Sequence, residues 1–170
     1  MLLNAITPSE MVRSVTDIDL DDLYQRGIRG ILLDFDNTLL AWSESSVSTR
    51  VINWVSEAVE RGFRLCIVSN APDERLASQA QRMDIPFVSK ALKPTGKGIN
   101  RAIELLGLSK DEVTMVGDQM FTDVLAGNRM GLFTVLVSPI YLREQWWMKA
   151  VRNLERRLQK FMGISLPTAG

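Results

Sequence analysis

The stretch Ile31-Leu32-Leu33-Asp34-Phe35-Asp36-Asn37-Thr38 sets a short apolar run directly before two carboxylates spaced two apart. An apolar run of that length, bounded by turn-forming residues, reads as a strand buried on both faces. Three further stretches follow in order: Ser69-Asn70 after Leu65-Cys66-Ile67-Val68, the pair Lys93-Pro94, and Gly117-Asp118 through Thr122-Asp123 after Val113-Thr114-Met115-Val116. In an open parallel sheet, ligands bind beyond the carboxyl ends of the strands. One sheet edge would therefore gather Asp34, Asp36, Ser69, Lys93, Asp118 and Asp123.

Outward from these points, short apolar runs alternate with helical patterns, the signature of an α/β fold with a doubly wound, Rossmann-like parallel sheet. Strands are expected near 30–35, 63–69, 86–89, 113–117 and 132–137, and helices near 46–61, 72–83, 96–106, 122–130 and 141–162. Gly62 and Gly107 fall where helix C-caps belong, and Pro72 suits a first helical turn. Ser109 with Glu112 forms a capping box over a stretch too short for more than one turn. The first 28 residues are expected to add one or two short helices. No linker or repeat interrupts the chain, so residues 1–170 read as a single domain. Its catalytic core covers about 28–138, and a basic amphipathic helix covers about 141–162.

Absences narrow the chemistry. The chain of 170 residues has no histidine, which excludes a Ser-His-Asp triad, a phosphohistidine and His-ligated metal sites. With one cysteine there can be neither an internal disulfide nor a zinc cluster. Cys66 also fails as the nucleophile of a Cys-dependent phosphatase, because the required arginine six positions on is Pro72. It reads as a buried strand residue. Formal net charge is zero, so no global field favours nucleic acid. The N-terminus lacks a signal-peptide pattern and no run is long enough to span a membrane, which predicts a cytoplasmic protein, in reach of the inner membrane face.

The gathered residues suit phosphoryl transfer. Asp34 is the candidate nucleophile, and Asp36 the acid that protonates the leaving oxygen and then draws a proton from water. Lys93 and the Ser69 hydroxyl would neutralise phosphoryl oxygens, with Thr38 and Asn70 as further candidate substrate contacts. Asp118 adds, beside Asp34, the oxygen donor that a hard cation such as Mg²⁺ prefers, while Asp123 either reaches the ion through water or holds Lys93.

This ordered set resembles the haloacid dehalogenase superfamily of phosphotransferases. The resemblance implies Asp34 as nucleophile, Asp36 as acid/base, Ser69 and Lys93 as phosphate-binding residues, and a metal held by Asp34, Asp118, Asp123 and the Asp36 carbonyl. An aspartate at 36, where related ion-pumping ATPases carry threonine, implies a phosphatase. The intervals between the motifs hold only core elements, so the cap domain of many relatives is expected to be missing. Beyond the motifs, the Pro8–Arg13 opening, Arg26-Gly27-Ile28-Arg29-Gly30 and the Asn153–Arg157 tail are similar to the YqeG branch, which includes mitochondrial phosphatidylglycerophosphate phosphatases. That implies a phosphorylated lipid substrate; a soluble nucleotide, sugar phosphate or phosphoprotein is the alternative.

Two features bear on a lipid surface. Leu39-Leu40-Ala41-Trp42, Met120-Phe121 and Ile140-Tyr141 place apolar residues in the loops of the active edge; Leu39 is expected to pack inward, while Trp42 and Phe121 either pack inward or border the crevice. In the last helix Trp147, Val151, Leu154, Leu158 and Phe161 make an apolar stripe opposite Lys149, Arg152, Arg156, Arg157 and Lys160. Such a helix either anchors on an anionic membrane or covers the sheet with its basic face in water.

Overall fold

The computed structural model describes residues 2–140. Six strands form its centre: β1 (Glu10–Val12), β2 (Gly30–Leu33), β3 (Arg64–Val68), β4 (Phe87–Val88), β5 (Val113–Gly117) and β6 (Phe133–Val137). The described helices are α1 (Leu2–Ile6), α2 (Leu20–Gln25), α3 (Thr49–Glu60), α4 (Asp73–Met83), α5 (Lys97–Leu106) and α6 (Leu125–Met130). The sheet runs β1-β6-β5-β2-β3-β4, and every pairing is parallel.

Alternation along each strand explains both layers. Ile31, Leu33, Leu65 and Ile67 enter one core with Val51, Trp54, Val55 and Ala58 of α3 and Leu76, Ala80 and Met83 of α4. Leu32, Cys66, Val68 and Met115 enter the other with Ile99, Ala102, Ile103 and Leu106 of α5. The α3 and α5 sets recur at helical i, i+3, i+4, i+7 spacing, so each helix presents one apolar stripe to the sheet. Cys66 lies in the second core, and burial pushes its thiol up to about 12, as an inert strand residue requires.

The helix ends follow local chemistry. The Ser48 hydroxyl accepts from the Val51 amide to cap α3, and Gly107 closes α5 at φ 61°. The Ser109 amide and hydroxyl both donate to Glu112, at 3.0 and 2.7 Å, around a single turn. The expected helix from 122 splits in two: a π-helical turn over Met120–Val124 runs into α6. One strand was not expected. β1 is three residues long, too short for alternation to show, and is recruited by pairing Met11 with Leu136 at the sheet edge. The expected helix over 141–162 lies outside the described residues.

Candidate active site

Strand order reverses beside β2: the chain runs to β3 and β4 on one side, then returns to β5 and β6 on the other. A crevice opens where neighbouring strands send their following loops in opposite directions. Asp34 and Asp118 follow the two strands that flank it. The Asp34 amide still donates to the Val116 carbonyl at 2.8 Å, so its backbone is fixed by the ladder.

Lys93 reaches this point from the loop before α5. Its Nζ donates to Asp34 Oδ1 and to Asp123 Oδ1, both at 2.6 Å, and all three side chains are buried. Asn70 sets the lysine's backbone: its Oδ1 accepts from the Lys93 amide at 2.8 Å and its Nδ2 donates to the Lys93 carbonyl at 3.2 Å. The amide expected to meet substrate is thus engaged with the lysine loop. Thr38 likewise turns to the protein, its hydroxyl donating to Asp34 Oδ2 at 3.3 Å. Ser69 Oγ accepts from the Ala71 amide at 3.1 Å, and that leaves its hydroxyl proton available to a ligand. Asp123 Oδ2 accepts from the Gln119 amide at 3.1 Å, which orients the carboxyl from within its own turn.

Asp34, Asp118 and Asp123 are all buried, and one carboxylate oxygen from each lies within 4.8 Å of the others. Burial pushes the Asp34 carboxyl up to about 7; Lys93 pulls against this, and the Asp123 charge adds to it. For Lys93 burial acts downward, but Asp123 and Asp34 outweigh it and hold the ammonium above its ordinary range. The lysine stays charged while the carboxylates are crowded. Three buried oxygen donors, without imidazole or thiolate, fit a hard divalent cation. Asp34, Asp118 and Asp123 would hold it.

Asp36 stands apart from that cluster. Its Oδ1 accepts from Arg75 Nε at 2.8 Å, and both side chains are partly exposed. The tight turn that sets Asp36 includes Asn37 at φ 62°, a conformation asparagine tolerates, and a bond from the Asn37 amide to the Leu40 carbonyl. The Arg75 guanidinium carbon lies 4.6 Å from the centre of the Trp42 ring. Sequence reasoning missed Arg75. The available signal was its place in the first turn of the helix after Ser69-Asn70, where a side chain overhangs the end of β3.

The apolar loop residues divide. Leu39, Leu40, Ala41 and Met120 are buried, and Phe121 is half-buried against the small cluster of Met120 and Val124. Trp42, Leu92 and Ile140 are 45%, 59% and 49% exposed. They belong to the site's surroundings: Leu92 precedes Lys93, Trp42 covers Arg75, and the Ile140 amide donates to the Asn37 carbonyl at 3.0 Å. Among the described residues, no domain is inserted between Asp34 and α3 or between Ser69 and Lys93.

Residues 3–140 match the family model of mitochondrial PGP phosphatases. The Probable phosphatase YqeG of Bacillus subtilis (strain 168) is 38% identical over 93% of this chain and 92% of its own. Phosphatidylglycerophosphate phosphatase 1 of Arabidopsis thaliana is 27% identical over 91% of this chain, which spans 47% of that relative's length. In fold, the cobalt-bound deoxy-D-mannose-octulosonate 8-phosphate phosphatase of Haemophilus influenzae is similar at a TM-score of 0.52, with 12% identity, covering 81% of this chain and 91% of that one. The likeness to it is one of fold alone. With the crowded carboxylates at the switch point of a parallel sheet, these matches make the chain a phosphoric monoester hydrolase of the haloacid dehalogenase type, and it belongs to the mitochondrial PGP phosphatase family.

Proposed function

We propose that this chain removes the terminal phosphate of phosphatidylglycerophosphate at a membrane surface, using Mg²⁺ and a phosphoryl-enzyme formed on Asp34. The observation that carries the reaction is the Lys93 ammonium 2.6 Å from both Asp34 and Asp123, with Asp118 completing the buried carboxylate cluster.

In the first step an Asp34 carboxylate oxygen bonds to phosphorus as the bond to the leaving oxygen breaks, and Asp36 delivers a proton to that oxygen. In the second step water attacks the phosphoryl group, Asp36 accepts its proton, and the bond to Asp34 breaks to release phosphate. Lys93 and the Ser69 hydroxyl hold the phosphoryl oxygens through both steps. Asn70 and Thr38 act behind them, one fixing the lysine loop and the other the Asp34 carboxyl. The cation, when bound, supplies positive charge that favours the ionised form of Asp34 and neutralises the phosphoryl group.

The lipid substrate is supported by the family match and by the uncovered crevice. Trp42, Leu92 and Ile140 come from three different loops and expose apolar surface that an acyl-chain-bearing substrate could meet. No described helix is long and apolar enough to cross a membrane. Association would thus be peripheral, aided by the basic residues 149–160 that lie outside the described region.

Phosphate release tests the assignment directly. With Mg²⁺ present, the protein should hydrolyse phosphatidylglycerophosphate in vesicles far faster than nucleotides or sugar phosphates in solution. Preference for a soluble phosphomonoester, with the lipid untouched, would refute the lipid reading and leave the phosphatase.

A further inference from the structure

Among the described residues, Arg75 makes one side-chain hydrogen bond, through Nε. Nε donates to Asp36, while Nη2 is buried without a hydrogen-bond partner, an arrangement that carries a desolvation cost. The guanidinium is also fixed in direction. It stacks on Trp42, and the loop carrying Trp42 is tied back to α4 by Gln79. Gln79 Oε1 accepts from the Val47 amide at 3.0 Å, and its Nε2 donates to the Ser45 carbonyl at 3.2 Å. Arg75 and Gln79 stand one turn apart on α4, so one rigid helix carries both the cation and the tie that steadies its platform.

The location decides what such a cation could meet. An acid must lie about 3 Å from the leaving oxygen it protonates. Arg75 Nε is 2.8 Å from Asp36 Oδ1. If Asp36 acts through Oδ1, Nε stands within about 6 Å of the departing oxygen, on the leaving-group side. Lys93, by contrast, is on the side of the nucleophile. In phosphatidylglycerophosphate the departing oxygen belongs to a glycerol whose far end carries a phosphodiester. With bonds near 1.5 Å, the two groups are on the order of 6 Å apart.

We infer that Arg75 is a specificity-determining residue that binds a second anionic group on the leaving group, the phosphodiester three carbons from the phosphate being removed. This rests on the proposed phosphatidylglycerophosphate reading. A planar guanidinium already fixed at Nε is suited to a phosphate's paired oxygens. The arrangement also explains how a crevice without a cap selects its substrate: recognition lies in a fixed cation beside the acid.

The test uses soluble compounds, so that membrane binding does not enter. The deacylated headgroup, glycerophosphoglycerol phosphate, carries both the monoester and the diester; glycerol 3-phosphate carries the monoester alone. Wild-type protein should favour the headgroup by about 10- to 100-fold in kcat/KM, mainly through KM, as a charge-assisted pair predicts. Arg75→Gln should bring that ratio close to one, and Arg75→Lys should retain part of it. A merely structural arginine would lower both substrates together and leave the ratio intact, which overturns the inference. Should Arg75→Gln fail to fold, the wild-type ratio and Arg75→Lys still decide, and a wild-type ratio near one refutes the proposal. Arg75 dependence seen on lipid vesicles but not on the headgroup would also refute it, since the bilayer and not the diester would then be the anion. If vesicles are left uncleaved while the headgroup preference holds, the lipid reading falls and the role of Arg75 stands. If vesicles are cleaved with a ratio unmoved by Arg75→Gln, the reverse is true.

Discussion

The space a Cβ would occupy on Gly117 is filled by the carboxyl of Asp123. Gly117 ends β5, and Asp123 folds back over it from the π-helical turn to reach Lys93. Any side chain at 117 must push that carboxyl away from the lysine. Gly117→Ala should therefore lower turnover by about 100-fold, the scale on which misplacing a catalytic group by about 1 Å acts. It should also raise the half-saturating concentration of Mg²⁺, measurable by titrating activity with the metal. Wild-type kinetics in Gly117→Ala would show that Asp123 does not need this position.

The Asp34 carboxyl gives a pH-dependent signature in the metal-free protein. Its pKa rises from an ordinary value near 4 to about 7. Between those values the folded state binds more protons at this group than the unfolded chain does. Its contribution to stability is thus full below about pH 4 and is lost as pH rises to about 7. Asp34→Asn has no such group. In EDTA its Tm should exceed that of wild type at pH 8, with the gap narrowing toward pH 5. A gap that widens toward acid would reverse the sign and contradict a carboxyl raised by burial.

Metal removal should abolish activity. After EDTA treatment Mg²⁺ should restore phosphate release where Zn²⁺ does not, because the donor set is all carboxylate oxygen. Mg²⁺ should also raise Tm more at pH 8 than at pH 5, since a cation competes with the proton on Asp34. Full activity in chelator, or tightly held stoichiometric zinc, would contradict the assignment.

The exposed rim makes a prediction about membranes. Replacing Trp42, Leu92 and Ile140 together with Ser should reduce sedimentation with anionic vesicles. Replacing Arg152, Arg156 and Arg157 with Glu should reduce it further in low salt than in high, since each basic residue contributes about 1 kcal/mol near an anionic surface and salt screens it. Unchanged sedimentation of both variants would remove the peripheral membrane reading.

Much of this was legible because the candidate site and the fold share one cause. Asp34, Ser69 and Asp118 each directly follow a buried strand, and buried parallel strands are the plainest signal in the chain. Strands and helices from β2 to β6 accordingly fell within a few residues of expectation. What escaped depended on tertiary partners. β1 is a strand only because β6 offers an unpaired edge. Arg75 matters through contacts to Asp36 and Trp42, residues more than thirty positions away, and its place in a first helical turn does not by itself announce them. Leu92 was overlooked as well: it is exposed, at a positive φ of 56°, in the loop that inserts Lys93. Asn70 and Thr38 were placed in the site, but only their hydrogen-bond partners reveal that their polar groups bond to the Lys93 backbone and the Asp34 carboxyl.

The most direct measurement is phosphate release from phosphatidylglycerophosphate by wild type and Asp34→Asn, with Mg²⁺, in one assay. Wild type should release phosphate, and acid quenching during turnover should trap a phosphoryl group on the peptide containing Asp34. Asp34→Asn should fall by at least about 10³-fold and trap nothing, as a side-chain amide cannot replace the carboxylate nucleophile. Release by Asp34→Asn at near wild-type rate, or phosphoryl trapped on another residue, would contradict the account.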